Sequence, residues 1–261
     1  MIQITLVSLY GDKASDLAAF ILDCQRHVAG IIGSAFTPYD IRQVHATLIG
    51  LERRAGSPAI NANFAQHRGR DVVMDIDGFL AYLRGCDLLP FKVQIGGFTD
   101  RPYPFTSREA TPYERSFSIQ GDKVVVMGWP FQPEPCATLP DTAAPGSREA
   151  RLYPGTLDRL RHAAQRFGIL HGYHRSPLDR DNDLFFRIGL VDPLVDPAVK
   201  IAVACQVRER LSVQSPVIIE IGLEALSIAA YGDDRLPLDS TRAWPLTDSR
   251  MSGDFVTKLY T

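Results

Sequence analysis

The run Val44-His45-Ala46-Thr47-Leu48-Ile49-Gly50 is short and apolar except for one imidazole and one hydroxyl set two residues apart. In a strand, side chains alternate between faces, so His45 and Thr47 share one face while Val44, Ala46 and Leu48 share the other. An imidazole can move a proton, and a neighbouring hydroxyl can donate a hydrogen bond to a phosphate or carbonyl oxygen. The same residues also fit a half-buried structural histidine, and the spacing alone leaves both readings open. Further along, the apolar run Leu184–Leu190 carries one guanidinium, Arg187, two residues after Phe185. A guanidinium can grip phosphate oxygens with paired hydrogen bonds and offset charge developing on them. Phe185 could present a ring face to a base or ribose, or simply fill space, with Arg187 then pairing with an acidic residue such as Asp183.

The elements that must position these residues follow from hydrophobic periodicity. Residues 2–9 read as a strand, and Leu17, Phe20, Ile21, Cys24 and Val28 recur at helical spacing. The strand carrying His45 follows, and residues 57–86 read as mainly helical. A strand is expected over Phe91–Phe98, with Gly96-Gly97 marking a bulge or bare backbone beside a site. Phe117–Ile119 and Val124–Met127 flank Gln120-Gly121-Asp122-Lys123 as a hairpin. Prolines punctuate residues 130–155, which read as an exposed connection. A helix from Thr156 closed by Gly168, a strand over Leu184–Val191, a helix over Pro197–Leu211 and a last strand over Val217–Ala230 complete the pattern. Residues 233–261 read as an irregular tail.

Helix-then-strand thus occurs at residues 16–50 and again at 156–191. The expectation is an α+β protein, one bilobal domain over residues 1–261, with two pseudo-symmetric antiparallel sheets, helices on their outer faces and a central groove. Neither strict βαβ units nor a glycine-rich phosphate loop supports a doubly wound nucleotide fold.

The formal charge of −2 and the ordinary apolar content of 45% predict no strong pull toward nucleic acid or anionic membrane. A long nucleic-acid tract held by phosphate contacts alone is therefore disfavoured. Cys24, Cys86, Cys136 and Cys205 are scattered without a CxxC pair, against a zinc site or a disulfide framework. Without a charged-then-apolar leader or a run of membrane-spanning length, the expectation is a reduced cytoplasmic protein with no membrane partner. His171 and His174 sit in a loop before the later strand, and either could swing toward a bound phosphate, with Arg175 as a second clamp. Their HxxH spacing lacks a further ligand of known position, so no metal and no cofactor is expected. His27, His67 and His162 read as structural, without companions. Asp179-Arg-Asp181-Asn-Asp183 resembles the start of a calcium loop, but Leu184 stands where glycine is required and no glutamate closes it. It reads as a polar turn.

Taken together, His45-Ala-Thr47 after an opening strand–helix–strand unit, Leu89-Pro-Phe91 to Phe98, and Val217 to Leu226 resemble the two-histidine (2H) phosphoesterases, the superfamily of RNA 2',3'-cyclic phosphodiesterases and so-called 2',5'-RNA ligases. The resemblance covers most of the chain. It implies a bilobal fold with two H-x-T/S motifs facing each other across a groove, one histidine acting as base, the other as acid, and both hydroxyls holding a cyclic phosphate. The second motif falls on Leu184–Leu190, where Phe185 takes the histidine's place and Arg187 the hydroxyl's, so half of the proton-transfer equipment is missing. The resemblance implies a phosphodiesterase-like protein acting on a nucleotide or RNA-end phosphate, with His45 and Thr47 catalytic and Phe185, Arg187 and His174 binding substrate. The alternative is a catalytically inactive module that binds a nucleotide or RNA end. Oligomeric state is open.

Overall fold

Alternation of side chains in the opening strand buries Ile4 and Leu6 on one face, and helical spacing buries Leu17, Phe20, Ile21, Cys24 and Val28 in the segment that follows. A computed structural model of the chain describes residues 1–57, 59–133 and 151–260. Its strands are β1 (Gln3–Ser8), β2 (Phe36–Pro38), β3 (Ala46–Gly50), β4 (Phe91–Ile95), β5 (Phe117–Gln120), β6 (Lys123–Pro130), β7 (Leu184–Val191), β8 (Val217–Ile221), β9 (Leu226–Tyr231) and β10 (Arg242–Pro245). The helices that matter below are α1 (Ser15–Ile32), α2 (Ala62–Arg68), α3 (Ile76–Gly85), α4 (Pro112–Ser116), α5 (Thr156–Ala164), α6 (Pro197–Val213) and α7 (Gly253–Lys258). Among the described residues no helix is long and apolar enough to cross a membrane.

The fold is α+β, and every strand pairing is antiparallel. The strands expected to form two sheets join into one, in the order β10-β9-β1-β3-β7-β6-β4-β8, with β2 added on β7 and β5 on β6. The two halves meet at a single residue pair, Ala46 of β3 with Phe186 of β7. One face carries the main core, where Ile4, Leu6, Ala46, Leu48, Phe186 and Ile188 meet the apolar faces of α1, α3, α5 and α6. The opposite face carries two small clusters. Phe98, Val125, Met127 and Trp129 form one; Val7, Ala229 and Leu236 form the other.

Several expectations need correction. The apolar run 217–230 is not one strand: β8 pairs with β4 at one end of the sheet, whereas β9 pairs with β1 near the other. Gly222 and a short 3-10 turn at Leu223–Ala225 let the chain leave one half and enter the other. Residues 57–86 are mainly helical as expected, divided into two helices, each with its own cap, the Asn61 side chain accepting from Phe64 N and the Asp75 side chain from Gly78 N. The expected irregular tail contains β10 and α7. Of the proline-rich connection at 130–155, residues 134–150, with Cys136, lie outside the described residues.

The glycine pair expected to mark a bulge or bare backbone follows directly on the end of β4. Gly96 and Gly97 both have positive φ, 72° and 71°. A Cβ on Gly97 would lie 3.0 Å from the Pro216 ring, so backbone conformation and space both demand glycine there. The hairpin β5–β6 is as the sequence suggests, turning at Gly121.

Candidate functional site

Carried one residue outward from the Ala46–Phe186 pair, the antiparallel register sets His45 opposite Arg187 and Thr47 opposite Phe185. All four therefore lie on the face away from the helices, between the two small clusters. The β1 pair Val7–Thr47 and the β6 pair Met127–Phe185 bound this strip. The two motifs are thus cross-strand neighbours on one sheet, and the residue facing His45 is the one aligned with the missing hydroxyl.

His45 is half-buried. Its Nδ1 lies 2.7 Å from the Gln43 carbonyl oxygen, which can only accept, so Nδ1 carries the proton. That leaves Nε2 as the lone-pair nitrogen, with no hydrogen-bond partner among the described residues. The Tyr10 ring meets the imidazole edge-on at 5.8 Å. Burial pulls the His45 pKa down to about 4, and the Arg187 and Lys13 charges lower it further against the bond to Gln43. At neutral pH the ring is therefore an uncharged proton acceptor in a positive field. Lys13 is itself drawn down to about 8 by burial, against the opposing pull of Asp40 and Asp12.

Arg187 Nη2 pairs with Asp234 at 3.3 Å, and Lys123 reaches the same carboxylate oxygen at 3.8 Å. Asp234 is two-thirds exposed, so this ion pair is screened and weak. Arg187 Nη1 and the Tyr39 hydroxyl are both buried and make no well-formed hydrogen bond. Burial raises the Tyr39 pKa, and the neighbouring guanidinium partly offsets the rise. Because its carboxylate partner is exposed and screened, the guanidinium can exchange Asp234 for another anion at Nη2. Asp183, the partner conceivable from sequence, is engaged elsewhere. Thr47 is half-buried, and Phe185 leans on the Phe98–Trp129 cluster, so its ring is already partly spent on packing.

The face occupied by His45 is braced from beneath by a buried polar network that the sequence did not announce. Arg161 of α5 donates to the carbonyls of Leu48 (2.8 Å), Thr47 (3.1 Å), Asp181 (3.0 Å) and Asp183 (3.1 Å). It also pairs with the Asp181 carboxylate at 3.2 Å. Asp183 accepts from Trp129 Nε1 at 2.8 Å and Ser107 Oγ at 2.7 Å. Between them, Asn182 Oδ1 accepts from the backbone N–H groups of Leu157 and Asp158, at 3.1 and 3.2 Å, capping α5. The Asp-Asn-Asp turn is therefore a buried junction between α5 and β7, not a solvated loop. Three alternating polar residues just before an apolar strand were its one visible signal.

His174 is correspondingly not at the mouth of a groove. It is fully buried, its Nε2 is 3.2 Å from Asp158 Oδ1, and its ring is 4.1 Å from that of His162. His171 is also buried, with Nε2 3.0 Å from Asp181 Oδ2. Burial and the Arg161 charge lower its pKa to about 3, although the Asp181 contact acts the other way. His162, expected to stand alone, has two companions.

The depressed pKa of His45 has a consequence for stability. Folding keeps it neutral, whereas the unfolded chain protonates it near 6.5. Its contribution is complete above about pH 6.5 and is lost as pH falls through the folded value. From this group alone, unfolding free energy is expected to fall by about 2 kcal/mol between pH 7.5 and 5. Urea titrations at the two pH values check this. The drop should shrink in His45→Gln, and an equal drop in both proteins would contradict a neutral imidazole.

No protein-family model matches the chain, and no curated protein is significantly similar to it. Among the solved structures that align with it at low similarity are two that cover nearly its whole length. TT0787 of Thermus thermophilus has 11% identity and a TM-score of 0.32, over 93% of each chain. Kluyveromyces marxianus Usb1 with uridine monophosphate has 11% identity and a TM-score of 0.37, over 94% of this chain and 98% of that one. Likeness at this level leaves the chemistry of the site to be argued from its own residues.

Proposed function

We propose that this chain is a phosphodiesterase-like protein of the 2H phosphoesterase type, a single bilobal domain acting on a nucleotide or RNA-end 2',3'-cyclic phosphate. The observation that carries the reading is the pairing of an imidazole with a bare Nε2 and a guanidinium whose ion-pair partner is an exposed carboxylate, side by side on one sheet face. In this reading Arg187 Nη2 exchanges Asp234 for a phosphate oxygen and Thr47 donates to another. His45 Nε2 takes the proton from an attacking water as the oxygen–phosphorus bond forms. The ribose oxygen then leaves, and because Phe185 stands where the second motif would carry its histidine, its proton comes from solvent. A bound phosphate raises the basicity of His45 by neutralising the field of Arg187 and Lys13. Phe185 lies opposite Thr47, where its exposed edge can meet a ribose or base, whereas His174 lies too deep to take part.

The second reading, binding without turnover, is favoured by that same Phe185. Calorimetry with nucleoside 2'- and 3'-monophosphates, together with product analysis on 2',3'-cyclic nucleotides, separates the two. Loss of paired charge-assisted bonds in Arg187→Ala is expected to weaken binding by about 10- to 100-fold. Binding without product supports the silent module. Absence of both, with Arg187→Ala indistinguishable from the parent, sinks phosphate recognition at this face altogether.

A further inference from the structure

We propose that Asp158, His162 and His174 form a three-ligand site for a borderline divalent cation of the zinc class, which pins the loop before β7 to helix α5. Asp158 and His162 are four residues apart on α5, so their side chains share a face. His174 enters from the loop. Asp158 Oδ1 lies 3.3 Å from His162 Nδ1 and 3.2 Å from His174 Nε2, and all three ligand atoms fall within 4.8 Å of one another.

Those distances discriminate between a hydrogen-bonded trio and a ligand set. Ligands about 2.0–2.1 Å from a tetrahedral cation are separated from each other by about 3.3 Å. Two edges of this triangle already have that length. The His174 Nε2 contact is close, and its Nδ1 is buried without a well-formed partner. Co-ligands show such close contacts, since their lone pairs converge on a point between them. A fully buried imidazole whose Nδ1 has no partner is otherwise costly. In the metal-free chain His162 Nδ1 faces the Asp158 carbonyl oxygen at 3.1 Å and carries a proton there. The cation replaces that proton, so binding releases it to solvent.

The surroundings are built as a support. Asp158 Oδ1 is held by the Asp181 N–H at 2.8 Å, and Asp181 in turn is fixed by Arg161 and His171. His162 is one-third exposed, which leaves an entry path and a fourth position for water. Two imidazoles and one carboxylate suit zinc or cobalt better than magnesium or calcium, which prefer all-oxygen sets.

The test uses the full chain stripped with a chelator. Calorimetry with Zn²⁺ is expected to show one saturable equivalent with proton release, and Co²⁺ to give the visible absorption of a tetrahedral site. His162→Gln, at the most exposed ligand, is expected to unfold at the same temperature as metal-free parent but to bind at least about 100-fold more weakly. Asp158→Asn provides a second variant at another ligand. Zinc should raise the unfolding temperature of the parent and not that of His162→Gln. No saturable binding by the parent overturns the proposal. So does equal zinc affinity in the parent and either variant, which would place the ion on the free cysteines or elsewhere.

Discussion

Arg161→Met is expected to lower the unfolding free energy by roughly 3–5 kcal/mol, the largest stability loss of any single substitution considered. Arg161 is 2% exposed and sits where four carbonyls from two separate segments converge. Methionine fills similar volume but donates nothing, so the carbonyls of Thr47, Leu48, Asp181 and Asp183 lose a partner in a dry interior. The Asp181 carboxylate, itself 6% exposed, loses its nearest cation. Breaking one member of a buried ion pair leaves an uncompensated charge, which is why the loss exceeds that of an exposed pair. Lysine should restore little, because a single ammonium cannot reproduce the planar fork that serves two segments at once. Urea unfolding measures all three proteins, and a loss under about 1 kcal/mol in Arg161→Met would mean that water reaches the network.

The second large effect is on turnover. If the proposed reaction occurs, His45→Ala should lower the rate on 2',3'-cyclic nucleotides by about 100- to 10,000-fold while leaving binding within a few-fold. The split follows from the roles: Arg187 and Thr47 hold the phosphate, whereas His45 contacts the attacking water. With no second histidine to share the load, the rate should follow a single ionisation on its acid limb, that of His45, which the bound anion moves above the free value of about 4. Initial rates and product identity by chromatography check the prediction. Unchanged turnover in His45→Ala would remove the imidazole from the chemistry and leave any activity to solvent or to a contaminant.

What could be read in the amino-acid order was what depends on local period. The face shared by His45 and Thr47, and that shared by Phe185 and Arg187, follow from alternation within one strand. Helix α1 follows from its five apolar positions. What could not be read depends on pairing across distance. Nothing local distinguishes Val217–Ile221 from Leu226–Tyr231, both largely apolar, yet they belong to opposite halves of the sheet. Asp234 joins Arg187 across 47 residues, and Arg161 joins Thr47 across 114. Burial of Asp181 and Asp183 ran against residue type, and only the partners that neutralise them make it tolerable. The grouping of Asp158, His162 and His174 escaped for a related reason: Asp158 and His162 are neighbours by helix geometry, but His174 arrives from a distant loop whose carbonyl accepts from Arg68.

Strand β1 lies between β3 and β9, so the N-terminal half borrows a strand from much later in the chain. During synthesis the free edge of β1 stays open until residues 226–231 have emerged from the ribosome, and for all of that time it is a template for wrong partners. Closing so long a loop is the kind of distant pairing that slows folding, and the first half of the sheet cannot be completed before the last strands are made.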